Sequence, residues 1–221
     1  MIAYLFLMLF FVFSFLHLVS SYADDAENRK KTKPFLLIFL LLYYVLSADH
    51  PSVYLIMALA TSWLGDVLLI PKGHHWFAYG GISFMFSHLF FILVYVSRIV
   101  FVHVPWILVV PAAIVYFGIA HFIIQAVKNT TPKKMVIPMH FYLICNSLMN
   151  LFALMQLCTL RNAGAFTAWI GALLFFASDC SLFLVRYGKK PEVIYKKHFT
   201  VMLTYLLGEF LITVGILLLK G

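Results

Sequence analysis

Eight long apolar stretches fill most of this chain and restrict what it can fold into. They run roughly over residues 1–21, 34–48, 52–71, 77–97, 104–125, 137–157, 164–185 and 199–219. A helix needs about 20 apolar residues to cross the hydrocarbon core of a bilayer, so each stretch predicts one transmembrane helix, the second being short. The predicted fold is all-α, a polytopic membrane bundle of about eight helices forming a single transmembrane domain over residues 1–221.

The composition excludes an ordinary soluble domain. Apolar residues make up 64% of the chain and charged residues 11%, whereas soluble domains are about half apolar and about a quarter charged. The net charge is +8, and the basic residues lie between the apolar stretches. This arrangement favours membrane lipid as a partner and gives no reason to predict nucleic acid. The three cysteines lie inside apolar stretches and are odd in number, so no disulfide framework is predicted.

The basic residues are distributed unevenly between the two sides of the predicted bundle. The odd-numbered loops contain 13 of the 16 Lys and Arg residues, and only Arg98, Arg161 and Lys220 lie elsewhere. Because cytoplasmic loops are enriched in Lys and Arg, we predict that the odd loops are cytosolic and that both termini lie on the opposite face. A bacterial inner membrane or an endoplasmic reticulum fits this multipass topology equally.

Three carboxylates interrupt the apolar stretches, namely Asp66, Asp179 and Glu209. A charged side chain in the middle of the hydrocarbon costs about 2.5 to 3.5 kcal/mol on insertion scales, so such residues usually have a partner or a task. We therefore predict that these acids mark a functional site. The alternative is that they only join helices by hydrogen bonds.

Depth counted along the helices gathers seven polar residues into one layer. At about 1.5 Å per residue they fall within a band of roughly 10 Å, between the cytosolic ends of the helices and the membrane centre. The seven are Asp66, His88, Tyr142, Asn146, Asp179, Tyr205 and Glu209. A shared polar cavity open to the cytosolic leaflet is the predicted reason, and packing or interhelical hydrogen bonding is the alternative for each residue taken singly.

Common catalytic motifs are absent from the sequence. Neither H-E-x-x-H nor a paired Cys/His cluster occurs, and His74 and His75 are adjacent rather than spaced as metal ligands. G-x-S-x-G is absent too, so a nucleophile-elbow serine is not supported. No metal and no cofactor are predicted.

Four short segments carry a resemblance to a known family. Residues 62–69 read S-W-L-G-D-V-L-L, residues 80–88 read G-G-I-S-F-M-F-S-H, residues 171–179 read G-A-L-L-F-F-A-S-D and residues 204–209 read T-Y-L-L-G-E. Together they resemble the lysoplasmalogenase (YhhN-like) family of membrane proteins. That family more often ends the last segment in Gln, so the role of Glu209 stays open.

The resemblance implies an ether hydrolase that acts on an alkenylglycerophosphocholine or alkenylglycerophosphoethanolamine. The substrate would be a lysoplasmalogen, a lysophospholipid whose vinyl ether bond is cleaved to a fatty aldehyde and a glycerophospho-base. Cleavage of a vinyl ether passes through an oxocarbenium-like cation, and two carboxyl groups, one neutral and one ionised, suit such a reaction. Asp66 and Asp179 are the predicted catalytic pair, with their two roles left open.

The other five residues of the layer have a predicted role in binding. They would position water or the glycerol and phosphate oxygens of the substrate. They are His88, Tyr142, Asn146, Tyr205 and Glu209.

Three rival functions remain at this point. A small transporter or channel would also place acids in the membrane. Paired broken helices are expected in such a protein; Pro105 and Pro111 interrupt the fifth stretch, whereas the first stretch, its counterpart in the other half, has neither Pro nor Gly. A metal-dependent lipid hydrolase would use Asp66, His88 and Asp179 as ligands. A protein without catalysis would use the polar layer for packing alone.

The predicted topology can be tested by labelling cysteines introduced at Ala26 and Lys189, one in the first loop and one in the last. A membrane-impermeant thiol reagent should modify both from the cytosolic face only, because the basic loops are predicted to stay there. Modification of either position from the opposite face would overturn the topology.

Overall fold

The described part of the protein, residues 2–219 of a computed structural model, is helical and contains no strand. The helices are α1 Ile2–Tyr22, α2 Ala26–Thr32, α3 Leu36–Ser47, α4 Val53–Leu68, α5 His74–Val96, α6 Trp106–Val127, α7 Lys133–Leu160, α8 Ala163–Tyr187 and α9 His198–Leu218. Three short 3₁₀ turns lie at Lys33–Phe35, Phe101–His103 and Pro191–Val193. The predicted all-α fold is therefore confirmed.

Each of the eight predicted stretches corresponds to one apolar helix. The bounds agree within a few residues, and the largest difference is at α7, which begins at Lys133 rather than at 137. Its first turn carries Lys133 and Lys134, so an apolar criterion misses it. The short helix α2 was not predicted, because its seven residues are almost all polar. The Asp25 side chain caps α2 by accepting hydrogen bonds from the backbone N–H groups of Glu27 and Asn28.

Six of these helices are long and apolar enough to cross a membrane, namely α1 and α5 to α9. The apolar helix α4 has 16 residues and α3 has 12, which correspond to about 24 and about 18 Å of rise. Since the hydrocarbon core is about 30 Å thick, these two helices are short for a full crossing. The protein is an integral multipass membrane protein.

The chain divides into two compact units, one ending at Phe91 and the other beginning at Ile92. The first unit contains α1 to α4 and most of α5, and the second contains α6 to α9. The single domain over residues 1–221 stays a prediction.

In the first unit, small and polar side chains let α4 and α5 approach closely. A Cβ atom added at Gly65 would lie 2.7 Å from the Phe84 ring, so Gly65 provides the space for that ring. The Ser83 hydroxyl donates to the Thr61 carbonyl at 2.7 Å, and the Ser62 and Ser87 hydroxyl oxygens lie 2.6 Å apart. These contacts fix the register of the two helices around Asp66 and His88.

In the second unit, glycines bring the backbones of α8 and α9 into direct contact. A Cβ atom added at Gly171 would lie 2.7 Å from the Gly208 carbonyl oxygen, and one added at Gly208 would lie 2.9 Å from the Gly171 carbonyl oxygen. One heptad away, a Cβ atom at Gly215 would lie 2.7 Å from the Gly164 carbonyl oxygen. Close approach through small residues is a common way for membrane helices to associate.

Substitution of Gly208 by Ala should destabilise the second unit, because the new methyl group meets the backbone of α8. The expected loss is about 1 to 3 kcal/mol in the free energy of unfolding, the usual cost of overpacking. The control is Gly118→Ala in α6, where a Cβ atom meets nothing within 4 Å; alanine there should be neutral or stabilising, since glycine is a poor helix former. Unfolding in detergent measures both, and equal effects would contradict the close contact.

Candidate functional site

Asp179 is the centre of a buried hydrogen-bonded group in the second unit. Its side chain belongs to α8 and is 5% exposed. The Tyr142 hydroxyl donates to Asp179 Oδ2 at 2.8 Å, and the Asn146 amide Nδ2 donates to the same oxygen at 2.7 Å. The two donors lie one turn apart on α7, where residues four apart share a face. Three of the seven predicted site residues are thus in direct contact.

A further amide on α7 orients this group. The Asn150 side-chain Nδ2 donates to the Asn146 carbonyl oxygen at 3.0 Å and to Asn146 Oδ1 at 3.1 Å. Because Oδ1 of Asn146 accepts from Asn150, its Nδ2 is turned toward Asp179. Asn150 was not among the predicted site residues, although the four-residue spacing of Tyr142, Asn146 and Asn150 indicates one polar face.

Tyr205 and Glu209 follow one another by one turn on α9, and both are buried. The Tyr205 ring contacts the Phe175 ring edge to face at 5.3 Å, and Phe175 lies one turn before Asp179 on α8. The Glu209 carboxyl group lies within electrostatic range of the Tyr142 and Tyr95 hydroxyls. Five of the predicted residues therefore belong to the second unit.

Asp66, in the first unit, is paired with a basic residue. Its carboxyl oxygen Oδ1 lies 3.2 Å from Lys33 Nζ, and the side chains are 2% and 15% exposed, respectively. Lys33 opens the 3₁₀ turn between α2 and α3. Lys33 was predicted only as one of the basic residues of the first loop, because no spacing along the sequence connects it to a residue 33 positions later.

The segment that carries Lys33 is anchored by contacts from two other helices. The indole Nε1 of Trp63 donates to the Pro34 carbonyl oxygen at 2.8 Å. The Thr32 hydroxyl lies 2.7 Å from His17 Nδ1 of α1. Since Trp63 and Asp66 are neighbours on one face of α4, the ion pair and the indole hold the turn at two adjacent points.

His88 lies on α5 in the first unit and is completely buried. The adjacent Ser87 hydroxyl donates to the Ala58 carbonyl oxygen at 2.9 Å, so this part of α5 is packed against α4. Asp66 and His88 thus belong to one unit and the other five predicted residues to the second. One cavity shared by all seven stays a prediction.

A metal-dependent hydrolase was one of the rival functions. Within residues 2–219, no group of three or more His, Cys, Asp or Glu side chains is arranged to hold a metal ion. The three ligands proposed for that rival were Asp66, His88 and Asp179.

The fold and these buried carboxylates define a class: a multipass membrane protein with ionisable groups inside its helices. Within that class, the sequence model of the YhhN family matches residues 29–216, so the chain belongs to the YhhN family. This is the lysoplasmalogenase-like family that the four segments resemble, and the resemblance is confirmed. No curated protein and no solved structure matches the chain.

The residues that carried the resemblance fall into two groups in the structure. One group packs helices together and consists of Gly65, Gly80, Phe84, Gly171, Ser178 and Gly208. The Ser178 hydroxyl, for example, donates to the Val201 carbonyl oxygen of α9 at 2.8 Å. The other group contains the buried Asp66, His88, Asp179, Tyr205 and Glu209. The packing group explains why the second group is held at fixed positions on its helices.

Removal of the Lys33 charge should destabilise the first unit through Asp66. Breaking a buried ion pair by removing one partner costs about 3 to 5 kcal/mol, and Lys33→Met should approach the lower value because Lys33 is partly exposed. Asp66→Asn should cost less, since the lysine can turn toward water.

A double-mutant cycle measured by unfolding in detergent tests this pairing. Lys33→Met combined with Asp66→Asn should regain most of the stability lost in Lys33→Met, because no buried charge remains. The control is Lys31→Met, an exposed position on the same short segment. Additive losses in the double variant would show that the two side chains do not interact.

Proposed function

We propose that this protein is a lysoplasmalogenase-type hydrolase that cleaves the vinyl ether bond of a lysoplasmalogen. Family membership supports a lysoplasmalogenase-like function, and the membrane-spanning helices suit a lipid substrate. The observation that carries the proposal is the buried Asp179 carboxyl group with two converging donors, Tyr142 and Asn146. A carboxyl group inside a membrane costs free energy, so its presence indicates a functional role.

The reaction consumes one water for each bond cleaved. An acid protonates the outer vinyl carbon, and the electron pair of the double bond forms the new C–H bond, which leaves an oxocarbenium ion. Water attacks the cationic carbon as a base removes its proton, giving a hemiacetal. The hemiacetal then loses the glycerol oxygen as an alcohol and becomes the fatty aldehyde. One proton donor and one carboxylate are sufficient for these steps, as in glycoside hydrolysis.

The Lys33 contact supports a division of roles between the two aspartates. A cation 3.2 Å from Asp66 Oδ1 favours the charged form of that carboxyl group. We therefore assign Asp66 to stabilise the oxocarbenium ion and to accept the proton of the attacking water. In a two-carboxyl mechanism the proton donor is then Asp179.

The hydrogen bonds of Asp179 hold the carboxyl group of the proposed proton donor in a fixed orientation. The Tyr142 hydroxyl and the Asn146 amide both donate to Oδ2, so two contacts from α7 determine how the carboxyl group is turned. Asn150 maintains this arrangement through Asn146. In the proposal, His88, Tyr205 and Glu209 border the substrate and its water.

The activity itself is tested with purified protein and two matched lipids. A lysoplasmalogen should yield fatty aldehyde by mass spectrometry, whereas the ester lysophospholipid with the same chain and head group should yield no fatty acid. Release of fatty acid alone would identify an esterase, and the absence of both products would remove the hydrolase proposal.

Asp66→Asn and Asp179→Asn should each lower vinyl ether hydrolysis by at least about 100-fold, the usual size of one general acid or base contribution. Asn keeps the shape of the side chain and removes its proton and charge. Because the two acids act as a unit, the double variant should be scarcely slower than the slower single variant. The control is Asp49→Asn at an exposed position between α3 and α4. Near-normal turnover in either single variant would exclude the two-carboxyl mechanism.

A further inference from the structure

The ammonium group of Lys33 has hydrogen-bonding capacity that the protein does not use. A lysine ammonium carries three N–H donors, and within residues 2–219 the one partner of Lys33 is Asp66, 3.2 Å away. The side chain is also 15% exposed, in contrast to the 2% of Asp66. Lys33 therefore lies between a buried carboxyl group and the surroundings of the protein, with donors left for a ligand.

Neighbouring basic residues do not share this position. Arg29 pairs with Asp24 at 2.7 Å, and Lys30 pairs with Glu27 at 2.7 Å. Both acidic partners are well exposed, and Lys31 is itself exposed. Lys33 is the basic residue of this segment that touches a buried acid.

The backbone around Lys33 is held in place, which is a requirement for a specific binding residue. Trp63 binds the carbonyl of Pro34, and His17 contacts Thr32. Residues on both sides of Lys33 are thus fixed to α4 and α1. A ligand that reaches Lys33 meets an ammonium whose position is already determined, so less entropy is lost on binding.

We propose that Lys33 binds the phosphodiester of the lysophospholipid substrate and places the adjacent vinyl ether beside Asp66. This inference rests on the proposed function. Phosphate oxygens accept charge-assisted hydrogen bonds from ammonium groups at about 2.7 to 2.9 Å. Lys33 then has two neighbours, the substrate phosphate on its exposed side and Asp66 on its buried side.

The dimensions of the substrate agree with this placement. Five bonds separate the phosphorus atom of a lysoplasmalogen from its vinyl ether oxygen, an extended length of about 6 Å at ordinary bond lengths. A phosphate oxygen bound to Lys33 and the Asp66 carboxyl oxygen, on opposite sides of the ammonium, are separated by about the same length. A phosphate on Lys33 therefore brings the carbon that becomes cationic to the carboxylate assigned to stabilise it.

The test compares two substrates with the same alkenyl chain, a lysoplasmalogen and the 1-alkenylglycerol that lacks the phosphodiester. Both are assayed in a detergent free of phospholipid, and the quantity is the ratio of their kcat/KM values. Wild type should prefer the lysoplasmalogen by about 10-fold or more, the effect of one hydrogen bond between charged groups. Lys33→Met should bring the ratio close to one, and Lys33→Arg should keep most of the preference. The ratio does not depend on the folded fraction of a variant.

Three results would overturn the assignment. Equal loss on both substrates in Lys33→Met would mean that Lys33 acts only through Asp66. A change in the ratio of the same size in Lys31→Met would mean that general positive charge, rather than Lys33, attracts the phosphate. Inhibition by a diacyl phospholipid as strong as that by a lysophospholipid would assign the site to bulk membrane lipid instead of substrate.

Binding without turnover separates this inference from the proposed function. Affinities of the ester lysophosphatidylethanolamine and of the matching monoacylglycerol are measured for wild type and Lys33→Met. A preference for the phosphorylated lipid that disappears in the variant supports the phosphate site even if no vinyl ether is cleaved. An absence of preference in wild type overturns the site even if hydrolysis is found.

Discussion

A carboxyl group inside hydrocarbon needs a cation or hydrogen-bond donors, and this requirement organises both units of the protein. Asp66 receives Lys33 from the turn that precedes α3, whereas Asp179 receives neutral donors from α7. A cation favours the charged acid more strongly than neutral donors do. Two residues of the same type thereby have different surroundings, and this difference is the basis of the two roles proposed for them.

The positions of these acids depend on close backbone packing. Gly171 and Gly208 let α8 and α9 touch through their backbones, and the Ser178 hydroxyl fastens α8 to the Val201 carbonyl immediately beside Asp179. An added methyl group at either glycine would push the helices apart and move Asp179 relative to Tyr205. Gly65 has a comparable role in α4. It lies one residue before Asp66 and leaves space for the Phe84 ring.

Helix positions were predictable because length and apolarity alone decide them in a bilayer. The contact of Tyr142 and Asn146 with Asp179 agrees with the counted depths. Lys33 was not predictable as a partner of Asp66, because the pairing depends on how the α2–α3 segment folds back on α4. The polar helix α2 was not predicted because its residues give no hydropathy signal. Its N-terminus is instead stabilised locally by the Asp25 side chain. Sequence likewise does not distinguish a glycine that permits contact, such as Gly208, from one that faces open space, such as Gly118.

The order of residues along the chain has a consequence for biosynthesis. Lys33 is translated before Asp66, and Tyr142 and Asn146 are translated before Asp179. Segments enter the membrane from the amino terminus onward as the ribosome delivers them, so the partner of each acid is already present when that acid arrives. Pairing during membrane integration would offset the cost of inserting a lone carboxylate, about 2.5 to 3.5 kcal/mol. If the partner followed the acid in the sequence, α4 or α8 would enter the membrane before the partner of its carboxyl group had been synthesised.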